Sequence, residues 1–273
     1  MIYTIVTADQ TTNLGRLDYA SFSQQALMEI FVDSLENCEF LTGEKDAKRE
    51  LNDWKYISLN IEGDVTEIFW TSFNLKGTLN FEWLPLTVEN LSMNHNELTG
   101  SLNLAALPVN IIHLFLQSNS FTGEVDLTSL PHRLQKVNIG QNKLSGSVDL
   151  DHLPNQLLMM NIQSNRFSGS VSLTHLPEGL SDLRLDENCF SGSVDLTALP
   201  SSIRGLYLSN TRFSGETDFS KLPDTLEQLF VSNTEMSGEI TAKWTAVTYV
   251  KKIYQIYGSN VRLKIDKPES FFG

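Results

Sequence analysis

The stretch LSGSVDLDHLP at 144–154 is followed by FSGSVSLTHLP at 167–177 and FSGSVDLTALP at 190–200, nearly the same eleven residues at a constant interval. Self-similarity at a fixed period marks a chain made of equal structural units that stack on one another. The prolines fix the period. Seven of the 8, Pro85, Pro108, Pro131, Pro154, Pro177, Pro200 and Pro223, recur every 23 residues without insertion or deletion. Aligned on them, one unit reads L-x-x-L-x-L-x-x-N-x-(L/F)-x-G-x-V-x-L-x-x-L-P, as in Leu180, Leu183, Leu185, Asn188, Phe190, Gly192, Val194, Leu196, Leu199 and Pro200.

Within a unit, L-x-x-L-x-L has the alternation of a short strand with one buried face. The same strand in the same direction every 23 residues makes one parallel sheet, and parallel neighbours need a return crossover of about a dozen residues. The (L/F)-x-G-x-V-x-L half supplies that crossover as a second extended segment, since no helical periodicity fits between Gly192 and Pro200. A solenoid with a concave parallel sheet and a mostly non-helical convex side is therefore expected. No unit can bury its apolar side chains without neighbours.

The polar constants have mechanical readings. Asn96, Asn119, Asn142, Asn165 and Asn188 sit where the chain leaves the strand, and a ladder of amides there meets backbone groups left unpaired by adjacent turns. The glycines from Gly77 to Gly238 keep one phase, marking a bend that needs positive φ or close backbone approach. Asp126, Asp149, Asp195 and Asp218 read as turn formers that hydrogen-bond their own backbone. The template fails at Phe73, Thr211 and Thr234, the first and last units.

This pattern resembles the leucine-rich repeat family, and its L-P-rich unit resembles repeat proteins of single-celled eukaryotes such as kinetoplastids. The resemblance covers residues 65–238 as eight repeats, with 1–64 as an amino-terminal cap and 239–273 as a mixed carboxyl cap. In the first cap, 21–35 reads as an amphipathic helix with Phe22, Ala26, Leu27, Ile30, Phe31 and Leu35 on one face and a capping box of Ser21 and Gln24. LNDWKYISLNIEGDVTEI then resembles the amino-terminal cap of plant receptor repeats, except that Tyr56, Ile57 and Ser58 stand where such caps carry cysteine.

Composition narrows the function. A net charge of −13 argues against nucleic acid, whose binding needs clustered Lys and Arg, and against anionic membranes. No apolar run is long enough to span a bilayer. Only Cys38 and Cys189 are present, in units too far apart to pair, and MIYTIVTADQ lacks the basic start of a signal peptide. A reducing, cytoplasmic address is the expectation, since secreted modules are normally stapled by disulfides. The carboxyl end is locally basic, with Lys243, Lys251, Lys252, Arg262, Lys264 and Lys267.

Catalytic constellations are missing from the sequence: there is no phosphate loop, H-E-x-x-H, C-x-x-C or G-x-S-x-G. His152 and His175 share a repeat position but make half of a zinc site at most. No metal, cofactor or enzymatic activity is expected. What varies from unit to unit is the outward side of the concave strands. Phe69, Phe115, Asn138, Asn161, Arg184, Tyr207 and Phe230 stand at its centre, with His113, Lys136, Met159 and Asp182 before them and Gln163 and Asp186 after. Aromatic, Met and Arg side chains are enriched in protein interfaces, and seven strand spacings span about 34 Å. These residues are the candidate site for a protein partner on a monomeric module. Two other readings stay open, an extracellular recognition or adhesion ectodomain and the substrate-recruiting part of a larger enzyme such as a ubiquitin ligase.

Overall fold

The computed structural model describes residues 22–45, 47–243 and 253–266. Each unit contributes a short strand to a ten-stranded sheet that runs in chain order from Ile57–Leu59 to Ile253–Gln255. All neighbours are parallel except Ile57–Leu59, which pairs antiparallel with Val65–Phe69. The register repeats without slippage: Leu91 lies beside Leu114, then Val137, Met160, Leu183, Leu206 and Leu229. All of these side chains are fully buried. The fold is a leucine-rich-repeat solenoid.

The second half of the unit forms the other wall. Seven parallel strands run from Thr122–Glu124 to Asn260–Asp266, and a smaller sheet of Leu35–Glu36, Lys76–Thr78 and Glu97–Thr99 lies at the amino end. Single 3-10 turns at Phe81–Trp83, Leu104–Ala106 and Leu127–Ser129 lead back toward the concave sheet. Asp126, Asp149, Asp195 and Asp218 each accept the N–H two residues on, at 2.8–2.9 Å, which closes the turn. Between the walls Phe167, Phe190 and Phe213 stack with ring centroids 6.2 and 5.9 Å apart. Gly146 shows why the glycine phase is constant: its φ is 88°, a region that other residues enter only at a cost.

Both ends depart from the expected caps. The helix is Gln24–Asp33, capped by Ser23, whose Oγ accepts from Ala26 N at 3.2 Å. It buries Leu27, Met28, Phe31 and Val32. Because it starts at Gln24, Phe22 stays outside it and meets Trp83 edge-on at 6.0 Å, and Ile30 is only half-buried. Ser21, expected to cap, lies outside the described residues. Trp70 is fully buried and faces Trp54 at 6.2 Å. At the other end Ile253–Gln255 joins Gln228–Phe230 and Asn260–Asp266 joins Glu235–Lys243. The coil thus continues past residue 238 into the segment read as a cap.

The asparagines join successive turns. Asn142 is 8% exposed, and its Nδ2 donates at 3.1 Å to the carbonyls of Ile139 and Gly140 and to Leu116 of the preceding turn. Its Oδ1 accepts from Phe121 N, also in the preceding turn, at 3.1 Å. Asn96, Asn119, Asn165 and Asn188 repeat the arrangement. Thr211 and Thr234 donate to carbonyls of their own turn, Leu208 and Val231, and Thr234 Oγ1 also accepts from Met236 N at 3.4 Å. Replacing Asn142 by Leu strands these groups in a dry corner, at about 1–3 kcal/mol for each unmet one. Asn142→Leu is therefore expected to lower the urea midpoint markedly at constant slope; an unchanged midpoint would remove the ladder from the account.

Candidate functional site

The registers bring the variable residues into files across the concave sheet. Phe69, Ser92, Phe115, Asn138, Asn161, Arg184, Tyr207 and Phe230 adjoin in one file, and Glu67, Asn90, His113, Lys136, Met159, Asp182, Gly205 and Gln228 in another. Sequence spacing placed these residues together correctly but did not show how differently the two halves of the face are used.

The carboxyl half is closed on itself. Arg184 Nε donates to Asp182 Oδ1 at 3.0 Å, and the guanidinium lies 4.2 Å from the centre of the Tyr207 ring. Phe230 meets Tyr207 edge-on at 4.8 Å, and the Tyr207 hydroxyl donates to Gln228 Oε1. Tyr207 is only 7% exposed. It was expected to stand outward as an anchor, but the inward curve of the sheet leaves it covered by its neighbours. Gly205 makes room for it, since a Cβ there would fall 2.8 Å from the Tyr207 ring.

The middle of the face is also engaged internally. Asn138 and Asn161 are buried, and their Oδ1 atoms accept from Gly140 N at 3.1 Å and Gln163 N at 3.0 Å. Asn138 Nδ2 donates to Gln117 Oε1. Lys136, Met159 and Gln163 are half-buried beside them. These asparagines hold the local backbone and offer little to a partner.

The amino half is open. Phe69 is 44% exposed, and two strands away Phe115 carries His113 stacked on it at 6.0 Å. Between them stands only Ser92, so a cleft of about 270 Å³ remains, lined by Glu67, Phe69, Asn90, Ser92, His113 and Phe115. Glu67 accepts from Ser58 Oγ at 2.7 Å and from Asn90 Nδ2 at 3.0 Å, which fixes its carboxylate at the edge of the cleft. Burial first, and Lys136 second, hold the His113 imidazole below its ordinary pKa. Glu67 was not among the expected site residues. Its signal was the file it shares with His113.

No protein-family model and no curated protein matches the chain. Solved structures do. The BIR2 ectodomain from Arabidopsis thaliana is 18% identical with a TM-score of 0.50, over 61% of this chain and 92% of that one. A plant ice-binding protein is 14% identical at 0.51, over 90% and 98%. The Arabidopsis receptor kinase HAESA ectodomain, in complex with an IDA peptide hormone ligand, is 23% identical at 0.48, over 68% and 32%. The likeness to the first two is one of fold and agrees with the solenoid. The expected cytoplasmic address finds no support among these structures. Among the described residues no helix is long and apolar enough to cross a membrane.

Asp186, in the closed half, gives the face a pH dependence. Burial pushes its carboxyl up to about 6, and its Oδ1 is buried without a hydrogen-bond partner. An unfolded aspartate titrates near 4, so the native chain holds this proton to higher pH than the unfolded chain does. The stabilisation is complete below about pH 4 and is lost as pH rises through about 6. Asp186→Asn mimics the protonated form. It should raise Tm by about 2–4 °C near pH 7.5 and leave it nearly unchanged near pH 4; equal shifts at both would contradict this.

Proposed function

We propose that this solenoid is a non-enzymatic interaction module that holds a protein partner on its concave face, principally on the amino half. The observation that supports this best is the open cleft, where Phe69 remains 44% exposed on a rigid sheet while the equivalent aromatics of the closed half are packed against one another. Exposed aromatic side chains fixed by a scaffold and rimmed by polar groups are what interface anchors require.

The test compares four forms of the protein as bait in extracts of the source cells, with mass spectrometry as readout. Phe69→Ala with Phe115→Ala should lose the partner while Tm stays close to wild type, because an exposed side chain such as Phe69 contributes within about 0.5 kcal/mol to folding. Tyr207→Ala should instead destabilise the fold by about 3 kcal/mol. Asn138→Ala serves as the control for residues engaged with their own backbone. Proteins recovered equally by wild type and the double variant would move the function off this face.

A further inference from the structure

The two halves of the concave face share two kinds of group, a carboxylate and an aromatic ring. In the closed half a carboxylate, Asp182, and an aromatic ring, Tyr207, hold a cation between them, and that cation is the chain's own Arg184. In the open half a carboxylate, Glu67, stands beside the rings of Phe69 and Phe115, and the position between the rings is occupied by Ser92. The set is the same with the cation left out. A cation also meets a ring in the amino cap, where Lys55 Nζ lies 3.6 Å from the centre of the Phe40 ring.

The dimensions agree. Phe69 and Phe115 sit two strand spacings apart, about 9–10 Å at the backbone, and a methylene stem touching both rings at 3.5–4.0 Å needs about 7–8 Å. That spacing leaves room for one unbranched side chain. The carboxylate is pinned by Ser58 and Asn90 through one bond to each oxygen, so each oxygen keeps acceptor capacity. His113, neutral near pH 7 because burial and Lys136 lower its pKa, adds no opposing charge. Lys136 lies three strand spacings from Glu67 along the file, about 14 Å, beyond the screening length of about 8 Å. The net charge of −13 favours approach of a basic segment.

Resting on the concave-face reading above, we propose that the cleft between Phe69 and Phe115 seats a lysine or arginine side chain of a partner polypeptide laid across the sheet, its stem between the rings and its charge on Glu67. Cation–π contact and a charge-assisted hydrogen bond would act together there.

The experiment pans a phage-displayed library of unstructured random dodecapeptides on the whole protein and then measures the affinity of one retained peptide after synthesis. Retained peptides should share a Lys or Arg at one position. Replacing that residue by norleucine, and separately Glu67 by Gln in the protein, should each weaken binding about tenfold or more, with the two losses overlapping in a double-mutant cycle. The peptide-side change leaves the protein untouched, so a folding defect in Glu67→Gln, read from its Tm, does not blunt the test. Retained peptides without a shared basic residue, or basic ones indifferent to Glu67→Gln, overturn the proposal. If Phe115→Ala still releases them, the concave-face reading survives. A library from which nothing is retained, or only peptides indifferent to Phe115→Ala, overturns both.

Discussion

The asparagine that follows five successive concave strands, from Asn96 to Asn188, bonds carbonyls of its own turn and of the turn before it, and accepts an N–H from the preceding turn, as Asn142 does. Much else in the molecule depends on this contact. The chain must turn sharply out of one sheet into the other, and the turn leaves backbone groups pointing into a space that water does not reach. Buried backbone groups without partners are expensive. A side-chain amide, with two donors and an acceptor, meets several at once. Repeated in five successive turns, it helps to keep them evenly spaced, with the leucines in register.

The bend recurs in every turn, with the asparagine or without it: Asn210 (φ 55°) and Asn233 (φ 54°) precede Thr211 and Thr234. The residue two places before Asn142 is free to vary, but the residue just before it, Gln141, has φ 52°, as do its counterparts from His95 (φ 53°) to Glu187 (φ 55°). Left-handed backbone without glycine is costly and persists where surroundings over-determine it. Here the residue's own backbone bond to the next turn does so, as from Gln141 N to the Gln163 carbonyl and from Asn210 N to the Ser232 carbonyl, both at 2.8 Å. Constant positions thereby carry the geometry, and the outward strand positions are released to differ. On the concave face that freedom has produced a half in which Arg184, Asp182, Tyr207, Gln228 and Phe230 answer one another, and a half with a cleft open to solvent.

The repeat was legible because each constant residue performs one task at one place in each unit: Leu183 for the sheet, Asn188 for the corner, Gly192 for the bend. Files across the sheet followed from the period alone. Burial on the concave side did not, because it depends on which side chain stands in the next turn. Tyr207 looks outward in its own strand, and only the company of Arg184, Gln228 and Phe230 covers it. The spacing places Glu67 on the outward face in the file of His113 but does not single it out; its meaning comes from the rings flanking it and from Ser58, which reaches it across an antiparallel pair. The carboxyl end was missed because the step from Gln228 to its neighbour Ile253 is longer than the period that announces the other turns.

Positions that hold the coil are distinct from those proposed to recognise a partner. A saturation mutagenesis library displayed on cells, read in one experiment for surface abundance and for capture of a bound partner, tests that division directly. Substitutions at the repeated Leu, Asn and Gly should deplete abundance, while those at Glu67, Phe69, His113 and Phe115 should deplete capture at normal abundance. Capture losses spread over the convex sheet or the ends, with the cleft indifferent, would contradict it.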